Sequence, residues 1–307
     1  VPTLRTWLQL VRAPNLFTVP GDPLAGYLLA SIPAPAFGSL ESGIWFSVAA
    51  SLCFYVGGLL LNDLADLAED RRERPSRPLP SGAASRATVI AVMCGLFVLG
   101  LALSAAAGMW TLGVGIVLLL AIGAYNVYSK RLPVIGALNM GLCRGLSLLL
   151  GATAVAHGDL TIPLILRGRL DHLAIVFAMI TLFIAAITHL ARFETHESAP
   201  AVAKCLPAIA LAAGIASFLP RLGGPNRPPT IALLTLALVI SAHVGWELLR
   251  NAKQPLPPMI GQLIRLLLPI QAAFCAATGD TVGSLSAAVL ILLWPVSRAV
   301  GQRYYAS

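Results

Sequence analysis

Apolar residues in this chain fall in long unbroken runs, unlike the alternation of a half-buried strand or the stripe of a surface helix. Such runs recur at about 14–32, 43–64, 87–106, 109–128, 135–156, 172–191, 201–219, 230–249, 259–278 and 282–299. Each is close to the ~20 residues that a helix needs to cross a ~30 Å hydrocarbon core. Every backbone N–H and C=O in lipid must be satisfied within the protein, so the runs predict helices. The fold class that follows is all-α: a polytopic membrane helical bundle of nine or ten transmembrane helices around a central cavity open to the cytoplasmic side. The count turns on the first run, broken by Pro20 and Pro23, and on the very short loop between the last two.

Composition agrees with this pattern. Of 307 residues, 57% are hydrophobic and 11% are charged, where a soluble domain carries about 25% charged. The first run is long, Pro-broken and without a small-residue cleavage site, so a cleaved signal peptide is not expected. A sequence starting at Val1 is expected to have lost its initiator Met. The net charge of +8 is distributed by loop. With the N-terminus inside, one set of loops holds Arg5, Arg12, Arg71, Arg72, Arg74, Arg77, Arg86, Lys130, Arg131, Lys204, Arg250, Lys253 and Arg265. The opposite set holds only Arg167, Arg169, Arg221 and Arg227. Basic loops stay in the cytoplasm, so 65–86, 129–134 and 192–200 are expected there, in a bacterial inner (plasma) membrane. This use of the charge leaves no basic stripe for nucleic acid. Cys53, Cys94, Cys143, Cys205 and Cys275 lie in or beside apolar runs without a CxxC pair, as small hydrophobes. The whole of 1–307 reads as a single domain.

The chemistry concentrates in Asn62 to Gly82, NDLADLAEDRRERPSRPLPSG. Asn62, Asp66 and Asp70 are spaced i, i+4, i+8, one face of a helix, with Asp63 and Glu69 to either side. Carboxylates at a transmembrane helix end are costly unless they hold cations. Hard oxygen ligands suit Mg²⁺, which keeps waters and is completed by substrate phosphates. Arg71, Arg72, Arg74 and Arg77 follow as anion-binding forks, and Pro75, Pro78 and Pro80 end the helix. The plain alternative is a mixed-charge helix end that marks the membrane boundary.

This segment resembles the first Asp-rich motif of the UbiA superfamily, NDxxDxxxD followed by RPLPSG. The resemblance implies a helical-bundle membrane prenyltransferase that uses Mg²⁺ to ionise an isoprenyl diphosphate and alkylate a small aromatic, sugar or cyclitol-like acceptor. It implies that Asn62, Asp66 and Asp70 bind metal-diphosphate and that Arg77 belongs to the phosphate loop. Tyr125, Tyr128 and Lys130 are similar to the family's YxxxK element. NMGLCRGLSLLLG at Asn139 to Gly151, RAPNLFTV at Arg12 to Val19 and ITHLARFETHE at Ile187 to Glu197 look like the EboC-type branch. Arg144, a cation inside an apolar run, faces a cavity or a partner: diphosphate oxygens on one reading, Asp22 on the other. Asn139 is a packing amide or touches substrate. Asp22, at a Pro/Gly break, caps a helix, orients the acceptor or acts as a base.

One departure stands out. Where the family has a second Asp-rich motif, this chain has His189, Arg192, Glu194, His196 and Glu197. Glu194 and Glu197 share a face and are expected to replace the missing aspartates as metal ligands. His189 and Arg192 are candidate substrate contacts. The competing function is a non-catalytic isoprenoid-binding protein or a transporter on the same scaffold.

Overall fold

The computed structural model describes residues 3–31, 40, 42–155, 170–194, 198–222, 227–251 and 254–303. Among them are nine helices long and apolar enough to cross a membrane, and the chain is an integral multi-pass membrane protein. In order, α1 is Leu4–Leu10, α2 Ala13–Leu16, α3 Gly21–Ala30, α4 Ser42–Ala65, α5 Leu67–Glu73, α6 Arg86–Ala107, α7 Met109–Val127 and α8 Pro133–Ala154. There follow α9 Leu170–Ala191, α10 Ala201–Phe218, α11 Arg227–Arg250, α12 Leu256–Arg265, α13 Leu267–Ala276 and α14 Thr281–Arg303. Boundaries have local causes. Ser85 caps α6 by accepting from Thr88 N at 3.1 Å, and Gly108, at φ 142°, turns α6 directly into α7.

Two expected spans differ from the sequence reading. The run at 14–32 is not one helix. Pro20 has no N–H for the Leu16 carbonyl, so the path breaks between α2 and α3, and α3 is only ten residues long. This run is not among the nine spanning helices. The run at 259–278 is still one of the nine spans, Leu256–Ala276, but it is built of two ten-residue helices, α12 and α13, meeting at Leu266. Pro269 cannot donate to the Arg265 carbonyl there.

The short helices α3 and α13 form the centre of the bundle, and every residue of α13 is buried. Phe183, Phe218 and Phe274 are fully buried in the same core. Backbones approach closely through glycine: a Cβ at Gly26 would collide with the Leu148 carbonyl, and one at Gly151 with the Pro23 carbonyl. This is the small-residue packing that membrane helices use in place of a hydrophobic drive. It brings α8 hard against α3 and sets the depth of everything that the broken first segment carries.

Candidate functional site

One end of the bundle gathers the polar motifs. Apolar residues seat the loop after α5: Leu79 and Ala84 pack with Leu10, Leu60, Leu67 and Val89. Backbone bonds fold the loop back on itself, Ser81 N to Arg77 O at 3.0 Å and Ala84 N to Pro78 O at 3.1 Å. Gly82 supplies the left-handed turn at φ 78°. Arg77 therefore returns beneath α5, and its Nη1 donates to Asp70 Oδ1 at 3.0 Å and Oδ2 at 2.9 Å.

The acidic ladder does not lie on one straight helix as its spacing predicts. The chain kinks at Asp66 (φ −90°, ψ 0°), between α4 and α5. Asp66 N still bonds to Asn62 O at 2.9 Å and Asp70 N to Asp66 O at 2.8 Å, so the path stays helical while the face turns. Each acid consequently has its own cation. Lys130 Nζ donates to Asp66 Oδ1, Asn62 donates to Asp66 Oδ2 at 3.0 Å, and Arg12 Nη2 stands 3.9 Å from Asp63.

Lys130 is delivered by a 3₁₀ turn, Ser129–Arg131. Asn139 secures that turn, donating to Ser129 Oγ at 2.9 Å and to the Ala121 carbonyl at 3.1 Å. Its amide nitrogen thus packs the helix ends together, the first of the two readings given for it. Tyr125 faces the site within reach of the charges on Asp66, Arg12 and Arg192. Tyr128 is 69% exposed and turned away: two tyrosines three apart at a fraying helix end diverge once the 3₁₀ turn begins.

Glu194 lies at the same mouth, beyond the end of α9, within the fields of Arg74, Arg12 and Arg77. Partial burial pushes its carboxyl above the ordinary range, against the pull of those three guanidinium groups. Arg192 is exposed, and the His189 ring meets Phe193 edge-on at 5.7 Å. Glu197 and His196 lie outside the described residues.

Two candidates sit elsewhere. Asp22 is fully buried and is engaged by Arg144 Nε at 3.0 Å and Gln271 Nε2 at 2.6 Å. Arg144 Nη2 donates to the Thr18 carbonyl at 2.9 Å. Arg144 and Asp22 thus pair with each other, the second of the two readings given for Arg144: a buried cation and acid near one another neutralise each other.

Arg12 was not singled out for the site by the sequence, yet its charge bears on Asp63, Tyr55, Tyr125 and Glu194. It is the single non-glycine residue at positive φ (47°) among those described, a conformation that persists where surroundings enforce it. Asn15, one turn on, lies beside the Tyr55 side chain. The sequence signal was the presence of Arg12 and Asn15 within the RAPNLFTV stretch.

The donor chemistry suits Mg²⁺. No group of three or more acid, His or Cys side chains converges as a metal nest among the described residues. Mg²⁺ needs only one or two carboxylates when waters and phosphate oxygens complete its shell, and the Asp66 side chain remains 25% exposed. Asp66 and Asp70, with Asn62, would hold it, while the cations now on those acids are the right partners for phosphate.

A family model described as the UbiA prenyltransferase family matches residues 23–203. Digeranylgeranylglyceryl phosphate synthase of Methanoregula boonei is 32% identical over 133 residues, 43% of this chain and 46% of that protein. The chain thus spans about half the length of the curated relatives it matches, which are mostly archaeal. Among solved structures, a UbiA homologue from Aeropyrum pernix K1 in its apo state superposes with a TM-score of 0.67 at 19% identity, covering 86% of this chain and 96% of that one. A UbiA homologue from Archaeoglobus fulgidus bound to DMAPP and Mg²⁺ gives 0.59 at 11% identity, covering 89% and 99%. At these identities the likeness is one of fold.

Proposed function

The chain belongs to the UbiA prenyltransferase family, and from that premise we propose that it transfers an isoprenyl group from an isoprenyl diphosphate to a small acceptor within the membrane. The observation that carries this reading is the mouth cluster. Three acids and three cations from four separate segments stand in pairs where lipid and water meet. A generic membrane boundary does not require Arg12, Arg77 and Lys130 to converge on Asp63, Asp70 and Asp66.

In the proposed reaction the allylic C–O bond breaks and both electrons leave with the diphosphate. Mg²⁺ held by Asp66 and Asp70 with the diphosphate would supply Lewis-acid neutralisation of that charge. Arg77, Lys130 and Arg12 turn from their carboxylates to the phosphate oxygens, freeing Asp66 and Asp70 for the metal. Preorganised cations of this kind stabilise the departing charge. The apolar bundle holds the prenyl tail and keeps water from the allylic cation. The acceptor supplies the new electron pair and releases a proton at the mouth. Relatives named for a glyceryl phosphate product favour an oxygen nucleophile over a ring carbon. Glu194 is the proposed carboxylate for a second metal. We read the mouth as facing the cytoplasm of a plasma membrane, in keeping with the basic loops, and the chain as a member of the EboC-type branch, on the resemblance of its motifs alone.

The test is incubation of the purified protein with Mg²⁺, geranylgeranyl or farnesyl diphosphate and a glyceryl phosphate acceptor. Diphosphate release above a chelated control is expected. Absence of both release and binding would remove the enzyme reading and its binding-protein alternative together.

A further inference from the structure

The break between α2 and α3 leaves the Thr18 carbonyl without its usual helical partner, because Asp22 N reaches back to Val19 O instead, at 3.4 Å. Irregular backbone at membrane depth must be satisfied by protein. Here two side chains converge on that one carbonyl: Gln271 Nε2 at 2.8 Å and Arg144 Nη2 at 2.9 Å. Gln271 Nε2 also donates to Asp22 Oδ1, and Asp22 Oδ2 lies 3.0 Å from Arg144 Nε as an ion pair that balances the Arg144 charge. Gln271 and Asp22 are fully buried, Thr18 nearly so, and Gln271 is pressed against Gly21. That close approach leaves no room for a ligand between Gln271 and Gly21.

What the cluster holds is the segment that carries Arg12 and Asn15. A second grip lies further out, where Ser297 Oγ of α14 donates to the Pro14 carbonyl at 2.8 Å. The two C-terminal elements α13 and α14 thus each grasp one backbone carbonyl of the N-terminal arm, at Thr18 and Pro14. Between and beyond these grips the chain holds Arg12 in its left-handed conformation. Thr18, Asp22 and Gln271 all stand outside the stretch that the family model matches.

We propose that Gln271, with Asp22 and Arg144, is a positioning cluster that fixes the depth and angle of residues 12–18 and thereby the reach of Arg12 into the mouth. The inference rests on the diphosphate reading of that mouth. Gln271 touches no substrate in this scheme; it acts through Arg12.

A double-mutant cycle separates that role from simple support. Binding of geranylgeranyl diphosphate with Mg²⁺ is measured for the unaltered protein, Arg12→Ala, Gln271→Met and the double variant. Arg12→Ala is expected to weaken binding about tenfold, and Gln271→Met by a similar factor. In the Arg12→Ala background Gln271→Met should add less than about twofold, because residues acting through one group are not additive. Arg144→Lys, which keeps the charge beside Asp22 but shortens the donor to Thr18, should show the same dependence on Arg12. It serves as the test if Gln271→Met does not fold. Losses that multiply fully, with both variants merely lowering Tm, would overturn the inference in favour of a structural prop. If the wild-type chain binds no diphosphate, the parent reading fails first and takes this one with it; if it binds and the losses multiply, only this one fails.

Discussion

Two sets of acid–cation pairs occupy the same molecule under opposite conditions. At the mouth, the Lys130 and Asp66 side chains are 18% and 25% exposed, and Arg12 and Asp63 are 40% and 15% exposed. In the interior, Arg144 and Asp22 are 10% and 0% exposed. The chemistry is alike, but water changes its meaning. An exposed pair gains little from contact because solvent replaces either partner when it opens. A buried pair cannot open without stranding a charge in a low dielectric. The Lys130–Asp66 and Arg12–Asp63 pairs are therefore exchangeable, free to trade carboxylate for phosphate, whereas the interior pair is a fixed joint; Arg77–Asp70, at 20% and 6% exposed, stands between the two.

The largest effect expected from this contrast is on stability. Arg144→Met leaves Asp22 buried without its cation and should destabilise the fold by about 3–5 kcal/mol. Adding Asp22→Asn should restore a large part. Lys130→Met, at the mouth, should cost no more than about 1 kcal/mol. Thermal unfolding in detergent gives all three. Equal losses at the two sites would erase the distinction between joint and exchangeable pair.

The next effect is on binding and should run the other way. Asp66→Asn keeps shape and hydrogen bonding but removes the charge that faces the metal. We expect Mg²⁺-dependent diphosphate affinity to fall by at least about 3 kcal/mol, the upper range for a hydrogen bond to a charged group, with unfolding almost unchanged. A variant that binds with unaltered affinity and metal dependence would reduce the ladder to a helix boundary.

This contrast also divides what could be read in the sequence. Long apolar runs gave the helices because lipid leaves the backbone no other choice. The acidic ladder was visible because carboxylates at a span end are too costly to be accidental. The partners of those acids were not visible. Arg77 returns to Asp70 only because Leu79 and Ala84 seat the loop, and Lys130 meets Asp66 across 64 positions. Periodicity carries no information on such tertiary meetings. Gln271 was hidden most completely, an uncharged residue in an apolar run whose two partners lie about 250 positions away. The kink at Asp66 had no sequence signal either, since neither Gly nor Pro stands there.

The smallest expected effect is at Glu194, where the chain departs from its family's pattern. Its carboxylate sits among the fields of Arg74, Arg12 and Arg77 yet is more solvated than Asp70. If it completes a second metal shell, Glu194→Gln should weaken Mg²⁺–diphosphate binding by about 1.5 kcal/mol, the low end for a charge-assisted contact. Glu194→Asp should lose less, since the charge stays while the arm shortens by one methylene. Both losses should vanish when Mg²⁺ is chelated, because a group that serves only the metal has nothing to contribute without it. Arg192→Gln provides the counter-test. Should Glu194→Gln be silent while Arg192→Gln impairs binding, a guanidinium is doing at this position what a second cation does with aspartates. The mouth would then work with one metal, and its balance of charge would rest on basic side chains alone.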